Sequence, residues 1–189
     1  MTLKILKKSL IKSQIVKRGK YSYFVHPITD GIPDVKPDLL NEVICEMEKR
    51  VRKYGKIDKI VTIEAMGIPL ATALSVKMKI PFAIIRKKPY GLPDEIVVEQ
   101  TTGYSKARLY INGLKPKDKI VIVDDVLSTG GTIKALILAL KNMRVNLKGI
   151  VVVVDRGNVA KKLMKEFDVN IDSIVKIDII NDKVVIKDN

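Results

Sequence analysis

The sequence predicts an α/β fold, with a mainly parallel sheet flanked by helices. Three observations point to it. Short, uninterrupted apolar runs recur: KIVTI at 59–63, IPFAII at 80–85, KIVIV at 119–123 and GIVVVVD at 149–155, rich in the Val and Ile that suit a strand buried on both faces. Segments with helical apolar spacing lie between them. Of the 189 residues, 47% are hydrophobic and 30% charged, a balance that builds a core under a solvated surface and differs from that of disordered chains. The length suits one domain, so residues 1–189 are read as a single unit.

The elements follow in order. Residues 1–20 hold seven Lys or Arg and no acid, and the spacing of Leu3, Leu6 and Leu10 fits a basic amphipathic helix. Such a face could meet a polyanion, but a solvated helix face is the simpler account. Residues 21–35, YSYFVHPITDGIPDV, read as a Pro-containing loop with aromatics. Asp38, after Pro37, opens a helix with Leu39, Leu40, Val43, Ile44, Met47 and Val51 on one face, and Gly55 stops it. Strand 59–63 leads into the helix GIPLATALSVKMK. After strand 80–85 comes the polar stretch RKKPYGLPDE, and then VVEQTTGYSKARLYI, weakly strand-like at both ends with a soft centre. Strand 119–123 is followed by a helix over 132–143 with Ile133, Leu136, Ile137, Leu140 and Met143 inward. Strand 149–155, the short helix VAKKLMKEF and a hairpin turning at Asn181-Asp182 complete the chain. There is no internal repeat.

Several function classes drop out. No apolar run approaches the roughly 18 residues that span a membrane. The N-terminus lacks the apolar region and cleavage site of a signal peptide. A single cysteine, Cys45, excludes an internal disulfide framework and a Cys-based zinc site, and points to a reducing cytoplasm. The net charge of +14 raises nucleic acid as a partner, but zinc-finger spacing, RRM aromatics and a basic zipper are all missing. A basic protein that handles phosphorylated small molecules would carry the same charge.

Ligands of parallel sheets bind at the carboxyl ends of the strands, so the strand-to-helix turns carry the chemistry. In IVIVDDVLSTGGTIKA, residues 120–135, Asp124 and Asp125 close a strand and Ser128, Thr129, Gly130, Gly131 and Thr132 lead into a helix. Helix N-termini expose N–H donors and a positive dipole end, glycines allow close approach, and hydroxyls add donors, so the turn reads as a cradle for a phosphate monoester. It is not a Walker A loop, because no lysine follows the glycines until Lys134. Paired aspartates beside such a cradle can hold ribose hydroxyls or Mg²⁺. A capped helix start would explain one or two of these residues but not the run.

VIVDDVLSTGGT, residues 121–132, resembles the phosphoribosyl-pyrophosphate (PRPP) motif of the type I phosphoribosyltransferases. The resemblance implies that fold, with a small hood contributed by residues 1–37. It implies that Asp124 and Asp125 are the catalytic acids, holding the ribose hydroxyls and Mg²⁺, and that residues 128–132 hold the 5′-phosphate. The turn Glu64-Ala65-Met66-Gly67 matches the short pyrophosphate loop, with Met66 where the adenine branch has Arg. Arg86, Lys87 and Lys88 match the cationic loop that stabilises departing pyrophosphate, with Tyr90 in the region of a later Lys. EQTTGYSKARLYI resembles the mobile lid, with Gly103, Tyr104 and Lys106 as its contacts and no Glu-Tyr pair. The stretch 21–35 resembles the hood of adenine phosphoribosyltransferases: Phe24 would stack on a purine and Val25 would offer backbone groups to its edge. His26, the one histidine, lies where those enzymes have Arg. Asp155 and Arg156 are further candidates near the sugar or base, or else a salt-bridged strand end.

The pattern of EAMG, IIRKKPYGLP and a basic N-terminal helix is similar to the archaeal hypoxanthine/guanine phosphoribosyltransferases. That similarity implies purine salvage: Mg²⁺-dependent transfer of 5-phosphoribosyl from PRPP to hypoxanthine or guanine, in a cytoplasmic homodimer. An adenine enzyme on the same scaffold, xanthine or orotate use, and a PRPP-sensing regulator that binds nucleic acid through residues 1–20 are the alternatives.

Overall fold

The computed structural model describes residues 3–19, 21–102 and 105–187. In chain order these form α1 (Lys4–Ile11), β1 (Gln14–Arg18), β2 (Tyr21–Val25), α2 (Pro27–Asp30), α3 (Pro37–Arg52), β3 (Lys59–Ile63), α4 (Gly67–Met78), β4 (Phe82–Ile85), β5 (Ile96–Thr102) and β6 (Ser105–Ile111). They continue with β7 (Lys119–Leu127), α5 (Gly131–Asn142), β8 (Asn146–Arg156), α6 (Val159–Phe167), β9 (Ile171–Ile180) and β10 (Lys183–Lys187). The central sheet has the order β10-β9-β8-β7-β3-β4. All neighbours are parallel except β10, which returns antiparallel along β9. Asn181 and Asp182 turn that hairpin with positive φ of 50° and 54°, which their short polar side chains tolerate.

The apolar strands predicted from sequence serve two cores at once. Successive residues point to opposite faces. Ile60, Val121, Val123 and Val151 pack under α1, α2, α3 and α4, while Val61, Ile120, Ile122, Ile150 and Val152 pack under α5, α6 and the β5–β6 hairpin. Each such side chain contributes roughly 1.5–3 kcal/mol on burial. The basic helix α1 inserts Leu6 and Leu10 completely and turns its lysines outward. Its first amides, on Ile5 and Leu6, donate to the Glu42 carboxylate of α3.

The structure differs from the sequence reading in two places that bear on the site. Gln14–Arg18 and Tyr21–Val25 are antiparallel strands, pairing Ile15 with Phe24, where the sequence reads as the tail of a basic segment and an aromatic loop. And β7 does not end at the aspartates but continues through Leu127, paired with Asp155 of β8. No described helix is long and apolar enough to cross a membrane.

Candidate active site

At the carboxyl ends of the strands α2 packs on β7, and Arg156 at the end of β8 lies over the Tyr21 ring of β2. Within β7, Asp125 is buried and Asp124 half-buried. Burial, and then the charge of Asp125, pushes Asp124 well above the usual carboxylate range. Burial raises Asp125 to about 6, with Asp30 of α2 adding to the push. The two neighbouring carboxyls interact, so their titration belongs to the pair, and burial raises both. Lys87 is the cation that opposes this at Asp124, and it does not prevail. The pair holds more negative charge than its surroundings neutralise.

Two glycines shape the backbone around it. A Cβ on Gly67, the first residue of α4, would stand 2.1 Å from Thr62 Oγ1 and 2.8 Å from Asp124 Oδ1. Thr62 cannot yield, because its hydroxyl donates to the Val123 carbonyl at 2.9 Å. So the 64–67 turn, which includes the cis peptide Glu64-Ala65, is drawn against the aspartates. Gly130 has φ of 78°, the left-handed region, just before α5. Behind it sits α6, for a Cβ there would meet Val159 Cγ1 at 2.9 Å. Ser128 is half-buried, Thr129 exposed, and Gly131 and Thr132 open the helix. Lys134 bends away to pair with Glu166 and cover the Phe167 ring. The turn therefore offers backbone amides and hydroxyls, with no lysine.

The cationic loop is tied to the 64–67 turn. Glu64 Oε2 lies 3.3 Å from Arg86 Nε and accepts from the Lys87 amide at 3.0 Å. Arg86 also lies over the Tyr90 ring at 5.6 Å. Glu64 is an acceptor-only carboxylate that anchors this loop, so anion binding by the turn falls to Ala65, Met66 and Gly67. Lys87 and Lys88 are exposed. Of the lid residues, Gly103 and Tyr104 lie outside the described residues; Lys106 is in β6, opposite Thr101.

The overlying layer bears on the reading of Phe24. Phe24 is 3% exposed and belongs to the core with Leu6, Leu10 and Ile28, so its ring is not a free plate for a base. Alternation along β2 turns Tyr21, Tyr23 and Val25 the other way. Tyr23 donates to Asp30 at 2.7 Å, and Tyr21 lies under the Arg156 guanidinium at 4.2 Å. His26 is buried and structural: Nδ1 accepts from the Ile28 amide at 3.2 Å, which leaves Nε2 to donate to Ser9 Oγ at 2.9 Å. Burial depresses its pKa to about 4, so the ring is neutral near pH 7. Asp155 is likewise buried and caps α6, its Oδ1 accepting from the amides of Val159 and Ala160.

The structure thus gathers Asp124, Asp125, the 65–67 turn, Lys87 and the 128–131 turn at one sheet edge. It adds Asp30 and Tyr21, which sequence reading passed over; the period-two pattern of Tyr21, Tyr23 and Val25 was the available signal. Among the described residues, no group of three or more His, Cys, Asp or Glu side chains forms a metal cluster.

The profile of the Phosphoribosyl transferase domain matches residues 36–187. The chain is 56% identical over 182 residues to the hypoxanthine/guanine phosphoribosyltransferase of Methanocaldococcus infernus, covering 96% of this chain and 99% of that one. It is 49% identical to the enzyme of that name from Methanothermus fervidus, over 99% and 98% of the two chains. Among solved structures, it resembles adenine phosphoribosyltransferase from Thermoanaerobacter pseudethanolicus with a TM-score of 0.74 and 24% identity, over 93% of this chain and 99% of that one. The adenine enzyme of Leishmania donovani gives a TM-score of 0.76 at 19% identity, over 93% and 80%. At such identities these structures share the fold alone.

Proposed function

The chain belongs to the phosphoribosyl transferase family, and from that premise we propose that it is a hypoxanthine/guanine phosphoribosyltransferase of purine salvage. It transfers 5-phosphoribosyl from PRPP to N9 of the base with inversion at C1′, giving IMP or GMP and pyrophosphate. The observation that carries the reading is the under-neutralised Asp124–Asp125 pair, set just before the amide-lined turn that opens α5. The choice of base rests on the relatives.

In this reading Asp124 and Asp125 hold the ribose hydroxyls, and residues 128–132 hold the 5′-phosphate through amides and hydroxyls at a helix N-terminus. Amides of residues 65–67, with Arg86, Lys87 and Lys88, receive the charge that develops on pyrophosphate, and their positions are fixed before the reaction. Gly103, Tyr104 and Lys106 close over the substrates and exclude water from the oxocarbenium-like ribose. Residues 1–37 contribute the hood, and Val25 offers backbone groups to the base. Positioning and charge stabilisation do the work, with no covalent intermediate.

The donor set suits Mg²⁺, which takes one or two carboxylates and fills its remaining sites with water and substrate oxygens. A pair of carboxyls whose burial disfavours their charge is one that a divalent ion would relieve. Bound there with PRPP, the ion would neutralise charge on the pyrophosphate. We assign the active species as a homodimer, which sedimentation would test.

The deciding experiment measures pyrophosphate release from PRPP with hypoxanthine, guanine, xanthine and adenine, with and without Mg²⁺. Turnover with the first two bases only, and only with the metal, is expected. Preference for adenine, or no release with any base, overturns the reading.

A further inference from the structure

Helix α1, the start of α2 and the start of α3 border a cavity of about 680 Å³. None of its lining residues is among those assigned to PRPP, pyrophosphate or the base. Lys4, Lys8, Lys12 and Lys36 stand around it, all exposed, and none of them makes a salt bridge among the described residues. Lys4, Lys8 and Lys12 follow one another at intervals of about 6 Å along the axis of α1. The positive end of α3 opens on the same space: Lys36 is its N-cap, with no side-chain cap, and Leu39 of its first turn is part of the wall. Two carboxylates share the rim, Asp34 and Asp38, and Asp38 already accepts from the Leu39 amide. Ile5, Pro27, Pro33 and Leu39 supply the apolar part. A second cavity, of about 440 Å³, shares Ser9, Lys12, Pro27 and Pro33 with the first, and in its wall Ser13 keeps a buried Oγ with no hydrogen-bond partner. A buried hydroxyl is normally matched, so this one marks the trough as a place for a polar ligand.

We propose that this trough is a second binding site, separate from the catalytic one, for a nucleoside phosphate. The phosphate lies among Lys4, Lys8, Lys12 and Lys36, the flat base lies on Ile5, Pro27 and Pro33, and Asp34 accepts from ribose hydroxyls. The volume is that of a small-molecule site, in which an apolar wall carries a few polar groups that fix orientation. A bare anion would leave the apolar wall uncovered, and an apolar molecule would leave the lysines unmatched. A strongly acidic peptide would run against Asp34 and Asp38. A second copy of the chain would bring a net charge of +14 against the same lysines. Single-stranded nucleic acid is held on aromatic platforms, and none lines this wall. A nucleoside phosphate joins the three parts that the wall calls for: an anion, a hydroxyl-bearing middle and a flat, weakly polar ring.

The test is calorimetric titration of the full chain with GMP in low-salt, metal-free buffer. It compares the wild type, Lys8→Glu combined with Lys12→Glu, and Lys162→Glu combined with Lys165→Glu, an equal change of charge at exposed positions of α6. The proposed reaction places one GMP at the catalytic site, so two per chain are expected for the wild type and the α6 variant. The α1 variant should bind one, its affinity at the trough falling at least about 10-fold as attraction turns to repulsion. If the reaction is misread, the counts become one, one and none, and the trough still stands. Binding at the trough should weaken with added salt. Inorganic pyrophosphate, which has no ring for the apolar wall, should bind there at least about 10-fold more weakly than GMP. The α1 variant should melt with the wild type because both lysines are exposed, and Lys8→Ala combined with Lys12→Ala replaces it if it does not. Equal counts in the wild type and the α1 variants, an equal loss in the α6 variant, or tighter binding there of pyrophosphate or of a ten-nucleotide single-stranded RNA than of GMP overturns the proposal.

Discussion

Two buried polar clusters sit close together at the carboxyl edge of the sheet, one in the overlying layer and one in the strands beneath, and they are built on opposite terms. In the upper cluster His26 and Asp30 are met: both ring nitrogens of His26 are bonded, and the Asp30 carboxylate accepts from Tyr23, Thr29 and the His26 amide. In the lower one Asp124 and Asp125 crowd each other, and Arg156 keeps a buried nitrogen without a partner. Satisfied polar groups hold a structure together, whereas groups left in conflict at a ligand-binding edge are waiting for a ligand.

The comparison breaks most sharply on removing the lower charges. Asp124→Asn combined with Asp125→Asn is expected to cut turnover with PRPP by at least about 10³-fold, in line with the loss of preorganised charge elsewhere. The unliganded protein should melt at the same temperature or higher, because a repulsion has gone. Scanning calorimetry beside a pyrophosphate assay checks both, and a collapse in stability would mean that the pair is structural.

The dependence on pH sharpens the contrast. Asp125 binds protons more tightly folded than unfolded, about 6 against 3.8, so its share of stability is full at low pH and is lost as pH rises through that interval. His26 is the reverse: its value falls from 6.5 to about 4, so its share is full above 6.5 and is lost as pH falls towards 4. Asp124, also raised, acts in the same direction as Asp125, so the unliganded wild type should lose stability as pH rises from about 4 to 6, with His26 offsetting part of the loss. Replacing both aspartates by Asn should expose a stability that rises with pH, and His26→Asn should steepen the fall. Denaturant melts across that range measure the slopes, and equal slopes in both variants would refute the assignment.

Gly67→Ala tests how tightly the lower cluster is packed. The new methyl drives into Thr62 and Asp124, and should cost about 1–3 kcal/mol and weaken PRPP binding. Calorimetric titration with PRPP reports the second effect. The smallest change is expected from Ser9→Ala in the upper cluster, about 1 kcal/mol in a melt with turnover at saturating substrates preserved.

The sheet was legible in the sequence because its strands are buried on both faces, and continuous Val and Ile leave few other readings. The aspartates and their glycine turn were legible because the spacing itself encodes the cradle. The β1–β2 hairpin was not, since Gln14–Arg18 carries two cations in five residues and hides its alternation. With no strand there, nothing sets the phase of Tyr21–Val25, and Phe24 reads as a base contact although its ring lies in the core. Asp30 was invisible for a different reason: only the turn through α2 brings it near Asp125, 95 residues further along the chain.

Arg86 has a second role in the fold. Its amide and carbonyl bridge Tyr110 at 3.0 and 2.8 Å, which lays the β5–β6 hairpin along the outer side of β4. At the far margin of the sheet, β10 presents Lys183 and Lys187. One bridge tethers the hairpin beside β4 and lysines flank the open edge of β10, and both discourage another strand from pairing there. The protection beside β4 is made by main-chain atoms, and exchanging the Arg86 side chain would leave it in place.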